Sequence, residues 1–220
     1  MTTREDILGR VRSHLGRNAG NASTAQADID AWMAAREQGP RPAVAAEAPA
    51  LLTRFREKSE ALSSSVDVVA SDAEVPAAVA RYLAGLDLGS QAVCWPGLAA
   101  LPWAAAGLLI EARAARDADM VGITGSFCAI AETGTLMLLS GPGTPGTVSL
   151  LPETHVAIVA ASRIVPGMEE GWNLARAECG ELPRAVSFIS GPSRTGDIEQ
   201  TIVLGAHGPY RVHIVIVADA

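Results

Sequence analysis

The strongest constraint on this chain is a set of short apolar, β-branched runs set apart by helix-length segments. Residues 66–70, 91–95, 155–160 and 211–217 each read as a strand, because Val and Ile suit a pleated surface and lose rotamer freedom in a helix. After the first run, Ser71-x-x-Glu74 predicts a capped helix reaching about Gly85, with Pro76 tolerated in its first turn. After the second, another helix is expected around residues 99–106. Strand–helix–strand–helix order predicts an α/β fold, an open, mostly parallel sheet flanked by helices. With 49% apolar residues but only 4% aromatics, the core must come mainly from Ala, Val, Leu and Ile, as in helix-covered sheets. A chain of 220 residues fits one such core.

From Val121 the pattern changes, and short β runs are separated by Gly and Thr. Residues 127–131 and 135–139 flank Glu132-Thr133-Gly134, a spacing that predicts a tight hairpin or sharp connection. Residues 140–147 form a Gly/Pro loop, 168–179 a helix and 186–190 a strand. At the other end, Thr2-x-x-Glu5 can form a capping box for a helix carrying Ile7, Val11 and Leu15 on one stripe and stopped at Gly16. A second helix is expected over residues 24–38, followed by a Pro/Ala-rich linker. The expected organisation is therefore an N-terminal helical arm and linker, residues 1–49, and an α/β domain, residues 50–220. The arm either packs on its own domain or docks a partner chain.

Several function classes fall away. A formal charge of −7 opposes attraction to phosphate backbones, so nucleic acid is not an expected partner. Cys94, Cys128 and Cys179 are too far apart in sequence for a zinc knuckle, redox dithiol or cluster ligand set. The first residues lack the apolar stretch of a secretory signal, and the longest apolar run, near residues 104–110, is too short to span a bilayer. A cytoplasmic protein without a membrane span is expected.

Two segments carry more polar and glycine residues than connectors need. In the first, Thr124 and Gly125 lead into Glu132, Thr133 and Gly134. Glu132 sits in an apolar run, so it is either exposed at a turn, capping it, or buried for a purpose. In the second, Ser190, Gly191, Ser193, Arg194 and Thr195 follow an apolar strand. If Thr195 caps a short helix, free amides, the Ser193 hydroxyl and the Arg194 guanidinium face one spot beyond the strand, a pocket for carboxylate or phosphate. Alternatively Arg194 pairs with Asp197 and Glu199 at a capped helix start. His207, beside Gly208, and His155 lie near strand ends and can face the same crevice, whereas His213 falls inside a strand. A metal set from His155, His207, Asp197 and Glu199 would need a convergence that spacing does not supply. Neither a dinucleotide fingerprint nor a P-loop is present.

Taken in order, Gly122-Ile123-Thr124-Gly125, Ala129-Ile130-Ala131-Glu132-Thr133-Gly134-Thr135-Leu136, Leu151-Pro152 with His155, Ser190-Gly191-Pro192-Ser193-Arg194-Thr195 with Asp197-Ile198-Glu199, and Gly205 with His207-Gly208-Pro209 resemble the LUD-domain family, formerly DUF162, over roughly residues 50–220. The resemblance implies a fold similar to the NagB/RpiA/CoA-transferase group. It also implies a role beside two iron–sulfur proteins that oxidise L-lactate to pyruvate, the clusters sitting on those partners while this chain holds no cofactor. Glu132 and His207 are then the catalytic candidates. Thr124, Gly125, Thr133, Gly134, Ser190, Gly191, Ser193, Arg194, Thr195 and Gly208 would bind a small carboxylate or phosphate-bearing ligand. Two rivals stand beside this reading. Glu132-Thr133-Gly134 is similar to the Glu-based nucleophile motif of coenzyme A transferases, and a non-catalytic scaffold with a degenerate pocket would need neither residue.

Overall fold

The computed structural model describes residues 3–18, 22–44, 47–196 and 203–219, and contacts divide the chain into two compact units, Met1–Pro42 and Ala43–Ala220. The first unit carries α1 (Arg4–His14) and α2 (Ala22–Ala35). The capping box that opens α1 uses Thr3 and Asp6, one position later than the expected Thr2 and Glu5. Thr3 Oγ1 accepts from the Asp6 amide at 3.2 Å, and Asp6 Oδ2 accepts from the Thr3 amide at 2.8 Å. An Asp at the third helical position thus closes the box as a Glu would. Ile7, Val11 and Leu15 are exposed, as are Trp32 and Met33 of α2.

The second unit opens with α3 (Ala48–Ala61), β1 (Ser65–Val69), α4 (Val75–Gly85), β2 (Gln91–Cys94), β3 (Leu109–Ala112) and β4 (Val121–Gly125). Next come β5 (Cys128–Ile130), β6 (Thr135–Leu139), the single turn α5 (Thr147–Leu150), β7 (Thr154–Ala160), β8 (Ile164–Val165) and α6 (Met168–Cys179). The chain continues through β9 (Val186–Ile189), β10 (Arg194–Thr195), β11 (Val203–Leu204) and β12 (Arg211–Val217). Six strands pair in the order β1-β12-β7-β4-β2-β3, each neighbour parallel to the next. This is the expected α/β sheet. A second sheet, β8-β5-β6-β9, contains the hairpin that Glu132-Thr133-Gly134 predicts, with Cys128 opposite Met137.

Two features differ from the sequence expectation. The helix expected over residues 99–106 is only a pair of 3₁₀ turns, Pro96–Leu98 and Trp103–Ala106. Pro96 and Pro102 open these turns, and Gly107 at φ 78° ends the second. The following run, β3, is an edge strand whose Leu109 is 63% exposed, so the alternation that reveals a half-buried strand is missing.

The layers follow from which face each side chain takes. On one face, Val93, Ala157, Val159, Val212, Ile214 and Ile216 pack against Leu51 and Phe55 of α3 and against Ala129, Leu136 and Leu138 of the second sheet. On the other, Val121, Ile123, Val156, Ile158, Val215 and Val217 meet Val75, Val79 and Leu83 of α4 and Trp103. The outer side of the second sheet, through Cys128 and Met137, is covered by Ala175 of α6. Burial on both faces explains why β7 and β12 read as continuous apolar runs rather than alternating ones.

Two histidines interrupt those runs. His155 is fully buried and shares a 2.8 Å hydrogen bond between its Nε2 and Thr124 Oγ1. His213 shares a 2.9 Å bond with Ser65 and stacks on Tyr82 with ring centroids 3.9 Å apart. The expectation that His155 faces a ligand crevice is therefore corrected: it lies on the inner face of the first sheet, close to the amino end of β7. Burial pushes both imidazoles down to about 4, because a charged ring loses hydration there.

At Gly122, α5 approaches so closely that a Cβ would lie 2.0 Å from the Val148 carbonyl oxygen. Gly122→Ala should therefore lower stability by roughly 3 kcal/mol, read as a fall of about 6–12 °C in the thermal midpoint. The histidines set a pH dependence. Unfolded, each binds a proton below its ordinary 6.5, whereas folded it stays neutral down to about 4. Stability is full above pH 6.5 and is lost as pH falls toward 4, by up to roughly 3 kcal/mol per histidine. Urea unfolding at pH 7 and pH 5 should show this loss, and His213→Asn should remove about half of the slope.

Candidate functional site

Most of the expected ligand-binding residues gather at the C-terminal end of α3. The turn between β5 and β6 places Gly134 at φ 67°, where a Cβ would come within 2.5 Å of the Ser59 amide nitrogen, so only glycine fits both the conformation and the contact. Ser59 Oγ, buried, donates to the Gly134 carbonyl at 3.3 Å. From this turn a chain of hydroxyls runs outward: Thr133 Oγ1 lies 2.8 Å from Thr135 Oγ1, which lies 2.7 Å from Ser190 Oγ. Thr135 is buried, whereas Thr133 and Ser190 reach solvent. Gly191 packs against Leu62, and the Arg194 guanidinium donates to Ser63 Oγ.

Ser193 joins this group to the turn before β12. Its amide donates to the Pro209 carbonyl at 2.9 Å, its carbonyl accepts from the Gly205 amide at 3.0 Å, and Gly208 lies against its Cβ. Ser190 does follow a strand's carboxyl end, but that strand is β9 of the second sheet. Relative to the first sheet, Leu62, Ser63 and Pro209 mark the amino ends of β1 and β12. His207 belongs to the same exposed turn, so it too stands at the amino ends rather than the carboxyl ends.

Thr195 does not cap a helix. Arg194 and Thr195 form β10, paired antiparallel with Leu204 and Val203, because residues 203–204 return as a strand and offer the backbone ladder that a helix start would otherwise supply. Asp197, Ile198 and Glu199, the expected acidic partners of Arg194, lie outside the described residues. Arg194 beside the last turn of α3 complements the negative end of that helix.

Thr124 and Gly125 stand apart. Thr124 is buried against His155, and Gly125 faces the Trp95 ring at the carboxyl ends of β4 and β2. Glu132 is half-buried, with its amide donating to the Pro166 carbonyl at 2.9 Å. Its carboxylate turns toward Gly167 at the start of α6. A Cβ placed on Gly167 would lie 3.3 Å from Glu132 Oε2, 3.0 Å from Glu170 Oε2 and 3.4 Å from Glu169 Oε2. Three carboxylates therefore surround that point. Among the described residues, no group of three or more His, Cys, Asp or Glu could hold a metal ion, and no helix is long and apolar enough to cross a membrane.

Sequence reasoning missed Ser59, Ser63 and Thr135. The run Ser63-Ser64-Ser65 at a helix-to-strand junction was the available signal, since three hydroxyls exceed what a short connection needs.

Comparison with known proteins agrees with this architecture. Residues 110–217, just under half of the chain, match the LUD domain. The named relatives are lactate utilization proteins C. The protein of Geobacillus sp. (strain WCH70) is 45% identical over 102 residues, 45% of this chain and 42% of the relative. That of Halalkalibacterium halodurans is 44% identical over 108 residues, 48% and 46% respectively, and that of Bacillus licheniformis 35% over 130 residues, 57% and 54%. The matched region thus spans about half the length of these curated relatives. A crystal structure of a DUF162 family protein from Deinococcus radiodurans shares the fold, with a TM-score of 0.59 at 23% identity, covering 78% of this chain and 98% of that one.

The hydroxyl chain makes a direct prediction. Thr135→Val removes its buried centre and leaves Ser190 and Thr133 without their mutual partner, so it should cost about 1–2 kcal/mol in urea unfolding. Thr133→Val, at the exposed end, should cost under about 0.5 kcal/mol.

Proposed function

We propose that the chain acts in lactate utilization as a cytoplasmic subunit of an iron–sulfur-dependent system that oxidises L-lactate to pyruvate. In this reading it binds a small carboxylate or phosphate-bearing ligand beside the end of α3. The name carried by its relatives supports the system. The observation that carries the binding role is the hydrogen-bonded array Thr133–Thr135–Ser190, with Arg194 anchored next to it on Ser63. Hydroxyls orient an anion's oxygens and a guanidinium supplies the charge-assisted fork. Glu132 and His207 would serve proton transfer or polar orientation at the rim.

The clusters belong on partner proteins in this reading. Cys94 and Cys128 are buried in different core clusters and Cys179 is exposed, which does not make a ligand set. Burial pushes both inner thiols up to about 11, away from the thiolate form that metals need. The exposed apolar side chains of α1 and α2 offer a surface for such partners. Covalent catalysis by Glu132 has less support, since its carboxylate meets two further carboxylates at Gly167 rather than a glycine-rich loop.

Co-purification from the native host tests the system, and calorimetry with L-lactate, pyruvate and inorganic phosphate tests the site. Proteins bearing clustered cysteines should accompany the full chain. Arg194→Ala and Ser190→Ala should each weaken binding of the best anion about tenfold with little change in thermal midpoint. A chain that purifies alone and turns over substrate unaided would overturn the subunit reading. Unchanged affinity in Arg194→Ala would overturn the site.

A further inference from the structure

A cavity of about 800 Å³ opens at the amino ends of β2, β3 and β4, within the range of small-molecule sites. Its origin is a gap in the sheet. In an extended strand the amide and carbonyl of one residue point to one neighbouring strand, and those of the next residue to the other. The Ser90 carbonyl accepts from the Leu109 amide of β3 at 2.9 Å, and the Trp95 amide donates to the Ile123 carbonyl of β4 at 3.1 Å. Gln91 and Val93, the odd positions of β2, therefore turn toward β4. Yet β3 follows β2 from Gln91 to Cys94, whereas β4 pairs only with Val93 and Cys94.

The next rung would join the Val121 amide to the Gln91 carbonyl, and it is not made. Among the described residues neither group has a hydrogen-bond partner, nor has the Gln91 amide. Val121 is 1% exposed, and buried backbone groups without partners are rare. Gln91 and Val121 both line the cavity. Together they offer donor, acceptor and donor, which an acceptor–donor–acceptor edge would complete. A flat ring in the gap would continue the plane of the sheet, so side chains of both faces would close on it. Val93 belongs to one face, Ala92 and Val121 to the other, and by alternation Met120, 49% exposed, stands on the side of Val93.

Charge selects against anions. Asp87, Glu111 and Asp119 line the cavity with Arg113 as their sole basic companion. That guanidinium is held by Glu111 at 2.6 Å and by Asp119 at 2.7 and 2.9 Å. A phosphate or carboxylate here would meet uncompensated negative charge, whereas a neutral ring would not.

We propose that the gap between β2 and β4 binds a neutral cyclic imide of the pyrimidine-base type. Its N–H donates to the Gln91 carbonyl, and its two carbonyl oxygens accept from the Gln91 and Val121 amides. The site shares no residue with the hydroxyl array at α3 and does not rest on the lactate reading.

Calorimetry and amide chemical-shift mapping on the full chain test it, with uracil, 3-methyluracil and orotate as probes. Uracil should bind and shift the Gln91 and Val121 amides most. In 3-methyluracil the methyl group replaces the imide N–H and leaves the Gln91 carbonyl unmet, so binding should weaken about tenfold. Orotate keeps the imide but carries a carboxylate, and should bind about fivefold more weakly than uracil. Met120→Ala should weaken uracil about threefold with little change in thermal midpoint. No binding of uracil at millimolar concentration, equal affinity for 3-methyluracil, or shifts confined to other residues would overturn the proposal. So would orotate binding as tightly as uracil, or a Met120→Ala chain that binds uracil as before.

Discussion

The whole second unit depends on one packed face of the parallel sheet. Ile214, Ile216, Val159 and Ala157 share one core cluster with Phe55 of α3 and Leu136 of β6. Burying side chains of this kind contributes roughly 2 kcal/mol each, and here one interface joins three elements that would otherwise have no reason to meet. The close approach of α5 at Gly122 comes from the same face. The four-stranded sheet packs its other face on α6 through Cys128, Met137 and Ala175, so it is held between the first sheet and that helix.

That packing decides where polar groups meet. Because α3 runs back along the sheet before turning into β1, its last turn lies at the amino ends of the strands. The β5–β6 turn reaches it there through Gly134, and Ser190 arrives from β9 through Thr135. An open parallel sheet ordinarily gathers its ligand loops at the carboxyl ends. Here the second sheet brings the hydroxyl array to the amino ends, and Glu153 and Arg211 stand at the same end because β7 and β12 begin there side by side. The carboxyl ends of β2 and β4 hold instead a Trp95 ring over Gly125, with the Trp95 Nε1 donating to the Pro145 carbonyl at 3.1 Å.

The buried histidines show the cost of polarity inside such a sheet. Each has one ring nitrogen bonded to a hydroxyl and the other without a partner. A half-satisfied imidazole is tolerable only while neutral, so these positions bind the stability of the fold to pH without taking part in the hydroxyl array.

By itself, the sequence determined the elements whose periodicity is local. Residues 168–179 are a helix bounded by Gly167 and Gly180, 211–217 are a strand because Val and Ile dominate the run, and the hairpin around Glu132-Thr133-Gly134 is written in its turn residues. The family resemblance was likewise carried by ordered local motifs. Tertiary structure alone decided the rest. Leu109–Ala112 became a strand because β2 offered a free edge, and Arg194–Thr195 became a strand rather than a helix start because residues 203–204 returned beside it. Thr124 and Glu132 belong to one motif run yet point to different neighbours, since the chain passes from the first sheet to the second between them. Arg211 read as nothing more than the first residue of a strand. Its guanidinium gains meaning only when parallel pairing sets Glu153 beside it, and that is a distance between residues far apart in sequence, fixed by the packing of two sheets and recorded in no local pattern.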